Sequence, residues 1–422
     1  MKVNKKKKIF YCPVFLIVII CAVFLSFYLR VNNNILISNG AWCWFQSPQA
    51  VSYKGLFDKT YIGYVNNYGD ISISSYDNKS RKVESTILHY NLEIDDHAAP
   101  SILVKNDGKI IVFYSKHTGE SLYYRISVKA EDISLWGEEQ KINTNKSSFW
   151  GNTYSNPIQL SGEDNKMYLF WRGEEGYPVF TISTDDGVSW KETKTLLEVS
   201  GERPYLKVSS NNIDKIYFTF TDGHPNEVNA NNIYFVYYRN NSFYKADGTF
   251  VKKIEDLPLT VKDLDIVYDS NQSGVKSWNW DISYDKEENP VIVYSTFKDI
   301  NNHYYNYARW SENKWLKGEI TQAGGFIGDE REKYYSGGIS VDGKNPNIVY
   351  LSKKVNNIYE IQQWITKDIG LTWNFNKTIS DSKNKNIRPV VPLNNDKIKV
   401  LWMSGEYNHY TDYDTMIEAN IK

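Results

Sequence analysis

Two segments far apart in the chain read almost alike. Ser183-Thr184-Asp185-Asp186-Gly187-Val188-Ser189-Trp190 and Thr366-Lys367-Asp368-Ile369-Gly370-Leu371-Thr372-Trp373 both fit [S/T]-x-D-x-G-x-[S/T]-W. In such a segment Gly187 or Gly370 permits a turn at positive φ, and Asp185 or Asp368 accepts backbone N–H bonds across it. The indole of Trp190 or Trp373 is left to pack between neighbouring sheets. A motif of this kind clamps a hairpin, so these residues are expected to be structural. Its recurrence makes the chain a repeat protein, which constrains the fold more than any other feature of the sequence.

A second phrase recurs with it: an alternating strand, a turn carrying Asp, Asn or Gly, then a second strand. Seven copies are found, at Tyr61–Tyr64 with Ile71–Ser74, Ser101–Val104 with Ile110–Ser115, Pro157–Leu160 with Met167–Trp171, Tyr205–Val208 with Ile216–Phe220, Trp280–Ser283 with Val291–Ser295, Gly338–Val341 with Ile348–Ser352, and Pro389–Pro392 with Ile398–Trp402. They start roughly 40 to 75 residues apart, a spacing suited to four-stranded blades with variable loops. A third strand in each unit is expected to run into an Asp-containing turn or a worn version of one, as at Ser127 to Trp136 and Arg309 to Trp315. Radial closure protects so many short strands from exposed edges without long helices. A two-sheet sandwich is the structural rival, but it does not require a repeat. The expected fold is therefore an all-β seven-bladed β-propeller over residues 59–422.

Ahead of it, Lys2 and Lys5 to Lys8 form a basic tail (residues 1–8) before an apolar run from Ile9 to Leu29. That run is long enough to cross a bilayer as one helix, with the positive flank cytoplasmic. The run is long for a cleaved signal peptide and no A-x-A site follows, so an uncleaved signal-anchor over 9–29 is expected, then a linker and lead-in over 30–58. This places the propeller outside the cytoplasm at a cell membrane. Cys12 and Cys21 fall in the anchor and Cys43 alone lies beyond it, so no disulfide within the chain holds the exported domain together. The 49 basic and 50 acidic residues give a net charge of −1, without the basic footprint of a nucleic-acid partner. Aromatic residues make up 15% of the chain, which favours strands and supplies stacking surfaces for sugar rings.

Polar residues just outside the repeated strands are the candidates for chemistry, because loops at one end of a propeller converge. Asp95-Asp96-His97 opens the second unit, and Ser115-Lys116-His117 closes its second strand, so one hairpin brings two of the six histidines to the same end. Tyr154 and Arg172 bracket the next hairpin in the same way; Arg203, Tyr205 and His224 bracket the fourth, and Arg388 opens the last. Arg203 and Arg388 read equally as ion-pair partners that pin blades together. Aromatic loops at Ser277-Trp278-Asn279-Trp280 and Lys333-Tyr334-Tyr335 add Trp278 and Tyr335 as glycan contacts.

The opening motif is the Asp-box of the bacterial neuraminidase repeat. Together with the phrases Asp95-Asp96-His97-x-x-Pro100, Tyr114-Ser-Lys-His117, Arg203-Pro-Tyr-x-Lys207, Phe220-Thr-Asp-Gly-His-Pro225, Tyr335 to Asp342 and Leu401 to Tyr407, it makes residues from about 85 to 415 similar to the BNR-repeat family that includes propeller-type ulvan lyases. That resemblance implies a histidine pair, a tyrosine and an arginine acting on the uronic acid of an acidic polysaccharide. Matched phrase by phrase, these are His97, His117, Tyr154 and Arg172.

Such chemistry is self-consistent. Elimination across C4–C5 of a uronate removes a proton α to a carboxylate, which Arg172 and a donor histidine would neutralise. Tyr154 or the other histidine would take the proton, and a tyrosine can return one to O4. No cofactor or metal is required. Zn²⁺ held by Asp95, Asp96, His97 and His117 is an alternative whose spacing matches no compact zinc motif. Two rival functions remain: a non-catalytic membrane-tethered module for glycan or protein, and a sialidase, for which the F-R-I-P type phrase is missing and seven units exceed the usual six.

Overall fold

A computed structural model describes residues 34–142, 144, 150–380 and 383–422. The expected anchor at 9–29 lies outside the described residues; among those described, no helix is long and apolar enough to cross a membrane.

The second strand of each unit is apolar along nearly its whole length rather than alternating. Ile110–Tyr114 is buried at every residue, and so is Pro290–Phe297 within the strand Pro290–Asp299. Continuous apolar runs of this kind belong to strands covered on both faces, here by the blades on either side. Strands at the rim of the ring behave oppositely: Asn374–Thr378 is exposed throughout. The sequence thus sets a radial gradient, in which each fully buried aliphatic or aromatic side chain contributes about 1.5–3 kcal/mol.

Seven antiparallel sheets result, five of which follow chain order strand by strand from the axis outward. Their innermost strands are Ala50–Lys54, Ser101–Val104, Thr153–Leu160, Leu206–Ser210, Lys276–Tyr284, Ile339–Val341 and Asn386–Val390, numbered below as blades 1 to 7. Blade 4 carries six strands, because Ser242–Tyr244, Phe250–Lys253 and Asp265–Tyr268 are added at its rim. Blade 7 is shared between the two ends of the described chain: Ile35–Ile37 pairs with Asp412–Ile421, with Ile35 opposite Glu418. That pairing closes the ring and leaves no unpaired edge between the first and last blades.

The propeller therefore begins earlier than residue 59. Ile35–Ile37 and Ala50–Lys54, assigned from sequence to the linker and lead-in, are an outermost and an innermost strand. Both are short, and the stretch Trp42-Cys43-Trp44-Phe45-Gln46 between them has no period of two, so no strand signal marked them. In the first repeated pair, Tyr61–Tyr64 and Ile71–Ser74 are consequently the second and third strands of blade 1.

Both Asp-boxes join the third and fourth strands of their blades and have the same bonds. Asp185 Oδ1 accepts from the Ser189 N–H at 2.9 Å and from the Ser183 hydroxyl at 2.8 Å; Asp368 Oδ1 accepts from Thr372 N–H at 2.9 Å and Thr366 Oγ1 at 2.7 Å. These bonds to largely exposed carboxylates hold both aspartates well below the usual range, at about 2. Trp190 packs edge-on against Phe113 of blade 2 at 5.6 Å, and Trp373 against Tyr307 of blade 5 at 5.0 Å, so each box fastens its blade to the preceding one. The worn box expected at Arg309 to Trp315 is instead a tight hairpin turned by Glu312 and Asn313, both at positive φ.

Gly370 sits at φ +101°, and a Cβ there would lie 2.3 Å from the Tyr307 ring. Gly370→Ala is expected to lower the stability by roughly 1–3 kcal/mol, read as a shift in the urea midpoint. An unchanged midpoint would contradict the blade-clamping role of the box.

Candidate active site

Loops that precede the innermost strands, and those that follow the second strands, all emerge at one end of the ring. His97 lies in the single turn Asp96–Ala98 before blade 2, where Asp95 caps the turn by accepting the His97 N–H at 2.8 Å. His117 follows the second strand of the same blade. In blade 3 the register slips between Thr153 and Asn156, and Tyr154 adopts φ +66°. This bulge turns the phenol toward the axis, while Arg172 ends the neighbouring strand.

The two imidazoles stack face to face, 4.1 Å apart and 2° from parallel. One carboxylate holds both: Asp95 Oδ1 lies 2.6 Å from His97 Nδ1 and Asp95 Oδ2 lies 2.9 Å from His117 Nδ1. Each ring therefore keeps Nε2 free of Asp95. Tyr154 and Tyr410 flank His97 with ring centroids at 5.4 and 4.7 Å, and the Tyr335 hydroxyl is 3.4 Å from His97 Nε2.

Their electrostatics differ. Burial disfavours charge on His97, but the neighbouring oxygens of Tyr154 and Asp95 more than offset it, and its pKa stands well above the ordinary value. Burial, followed by the charge on His97, pushes His117 down to about 4. Tyr154 is raised well above 10 by burial, so its phenol stays protonated at neutral pH. The stacked pair thus holds one charged and one neutral ring.

Arg172 is buried, with its guanidinium 4.7 Å from the centroid of the Tyr154 ring. Nη2 donates to Thr153 Oγ1 at 3.2 Å, whereas Nε and Nη1 have no hydrogen-bond partner. Among the described residues no carboxylate pairs with it, so the group is poised for an anion.

The other sequence candidates divide into two sets. Arg203 lies at the same mouth, stacked on Trp150 at 4.1 Å and bonded through Nε to Glu227 at 2.8 Å. His224 faces Glu332 at 3.5 Å and the Trp278 ring at 4.7 Å, and Tyr205 lies 5.8 Å from His224. Tyr205 and His224 are buried, as are Trp278, Tyr335 and Arg388 of the second set. Arg388 donates to the carboxylate of Asp96, to Tyr407 Oη and to the Trp42 carbonyl, so its charge is paired inside the protein, with Nε alone lacking a partner.

Sequence reasoning missed what these residues enclose. Ala41 to Gln46 threads the axis as a buried plug. Trp44 stacks on Trp280 at 4.2 Å, Phe45 meets Tyr154 and Tyr205 at 5.3 and 4.6 Å, and the Trp42 indole donates to the Arg388 carbonyl at 3.1 Å. Its signal was available: three large aromatic residues and a cysteine in a row are out of place in a solvated linker. Cys43, Asp96 and His97 bring ligand atoms within 4.8 Å of one another, as do Asp95, His97 and His117. A divalent cation at the second set would compete with the ring N–H bonds to Asp95.

The sequence profile described as BNR repeat-containing family member matches residues 59–323. An ulvan lyase from Nonlabens ulvanivorans is 23% identical over 394 residues, covering 80% of this chain and 78% of that protein. Among solved structures, a PL25 ulvan lyase superposes with a TM-score of 0.71 at 16% identity, covering 92% of this chain and 95% of that one; one bound to -[GlcA(1-4)Rha3S]- gives 0.70. The polysaccharide lyase Uly1 gives 0.59 at 11% identity, with 93% and 98% covered. At these identities the superpositions establish a shared fold.

The buried pair of Asp96 and Arg388 is sensitive to removal of one partner. Arg388→Met is expected to cost about 3–5 kcal/mol because a buried carboxylate loses its guanidinium partner. Adding Asp96→Asn is expected to recover at least half of that loss in urea denaturation. A single variant as stable as the parent would contradict the pairing.

Proposed function

The chain belongs to the BNR repeat-containing family, and from that premise we propose that it is a lyase that cleaves a uronate-containing acidic polysaccharide by β-elimination. The observation that carries this reading is Arg172: a buried guanidinium with two unsatisfied N–H groups, beside a histidine pair and a protonated tyrosine. A uronate carboxylate matches its charge and its planar donor geometry. The ulvan lyase relatives, one solved with a glucuronate-containing chain, support the same sugar class.

Each group then has one role. Arg172, with the charged His97, neutralises the C5 carboxylate and so acidifies the C5 proton. His117 donates Nδ1–H to Asp95 and takes the C5 proton on its free Nε2; the C5–H electron pair becomes the C4–C5 double bond as the C4–O4 bond breaks. Tyr154 gives its proton to the departing O4, and His117 restores it after the product leaves. Asp95 orients both imidazoles, as a carboxylate does for histidines in other general-base sites. Arg203, Tyr205 and His224 extend the binding surface beyond the cleaved bond.

The same reading places the ring outside the cytoplasm, held at the cell membrane by Ile9 to Leu29 with Lys2 and Lys5 to Lys8 inside. Protease added to intact cells is expected to digest the ring; protection of the ring would contradict this placement.

Incubation with ulvan and other uronate polysaccharides is expected to generate the ultraviolet absorbance of an unsaturated uronate. His117→Ala and Arg172→Met are each expected to lower kcat/KM by roughly 10²–10⁴-fold. Because the base must be deprotonated and His97 protonated, the rate is expected to rise with pH through about 4 and to fall above neutrality. Glycan binding without product on every polysaccharide would instead assign the ring to a non-catalytic module.

A further inference from the structure

The plug divides the axis in two. On its far side from His97, the innermost strands of all seven blades enclose a cavity of about 350 Å³. It runs from Trp44 to the turns that carry Asn106, Asn212 and Asn394, which join first and second strands at the end of the ring opposite the mouth. Its volume is that of an ordinary small-molecule site.

Two opposite charges line this cavity. Lys207, on the innermost strand of blade 4, is buried, and its ammonium donates to the Trp44 carbonyl at 2.5 Å. Among the described residues that oxygen is its one acceptor, although an ammonium has three donors. Asp281 lies at the register slip between Asn279 and Asp281 in blade 5, where Oδ2 accepts from the Ser340 hydroxyl at 2.8 Å and the Val341 N–H at 3.1 Å, and Oδ1 accepts from the Ile282 N–H at 2.9 Å. No ion pair joins Lys207 to Asp281 among the described residues, so the two charges border one cavity without neutralising each other at contact.

A buried ammonium beside a half-buried carboxylate is costly unless something of complementary charge and hydrogen bonding spans them. A carboxylate satisfies the free donors of Lys207, and a hydroxyl donates to Asp281. The Trp280 indole, stacked on Trp44, supplies an apolar wall for the C–H face of a ring. We propose that the axial cavity is a second ligand site, which takes a small hydroxylated carboxylic acid of the hexuronate class. The site shares none of His97, His117, Tyr154 or Arg172 and does not depend on the chemistry at the mouth.

Titration calorimetry of the full chain tests it, with glucuronate as the probe and glucose and acetate as probes that carry only the hydroxyls or only the carboxylate. With Arg172→Met as the parent chain, so that the uronate contact at the mouth is removed, glucuronate is expected to bind at one site per chain, at least tenfold more tightly than either other probe. Lys207→Met is expected to weaken it at least tenfold, and His97→Ala to leave it unchanged. Gly343→Trp provides a variant that spares the charged groups: Gly343 borders the cavity, and a Cβ there meets only Ser283 Oγ, at 3.9 Å. Its indole is expected to block binding while the chain stays folded. Absence of binding to the parent chain, binding that survives both Lys207→Met and Gly343→Trp, or binding lost in His97→Ala would overturn the proposal.

Discussion

Asp96 and Arg388 meet across the axis although 292 residues separate them in sequence. Both are fully enclosed, and the carboxylate also accepts from the Tyr407 hydroxyl at 2.7 Å while the guanidinium donates to the plug at Trp42. A buried pair of this kind is expensive to desolvate and cannot tolerate the loss of one partner, so it acts mainly as a geometric constraint. Here the constraint ties blade 7, the lead-in to blade 2 and the axial plug to one point. Asp96 Oδ1 lies 3.1 Å from His97 Nδ1, so the histidine is placed by the same contact.

From that anchor the mouth is built by division of labour between adjacent carboxylates. Asp96 is committed to Arg388, while Asp95 is shared by two stacked imidazoles and holds both by Nδ1. A cation on His97 and burial together suppress protonation of His117, which leaves a donor and a base in contact. The plug completes the arrangement by filling the axis with Trp44 and Phe45, so that the residues of the mouth rest on a packed floor and the cavity beyond is a separate compartment.

Much of this was legible in the sequence because it is local and periodic. Seven strand pairs, two Asp-boxes and the placement of His97 and His117 about one hairpin depend on residues near one another in the chain. What was not legible is either aperiodic or long-range. The run from Trp42 to Gln46 has no strand period because it is buried on every side, and Arg388 reads equally as a ligand contact and as an ion-pair partner until ring closure brings Asp96 to it. Trp278 and Tyr335 likewise look like exposed glycan contacts, yet they pack on Trp44 at 5.1 Å. The rim strands of blade 4 escape notice because half-exposed edge strands have weak patterning.

Asp95 holds two stacked rings in different charge states, and the chemistry at the mouth depends on that difference. Nitrogen-15 chemical shifts of the histidine side chains, followed across pH on the folded chain, measure this directly. The expected result is one ring of the pair titrating near pH 4, protonated on Nδ1 alone at neutrality, with the other doubly protonated to well above pH 6.5. Two rings that titrate together near 6.5, or that both lack an Nδ1 proton at neutral pH, would contradict it.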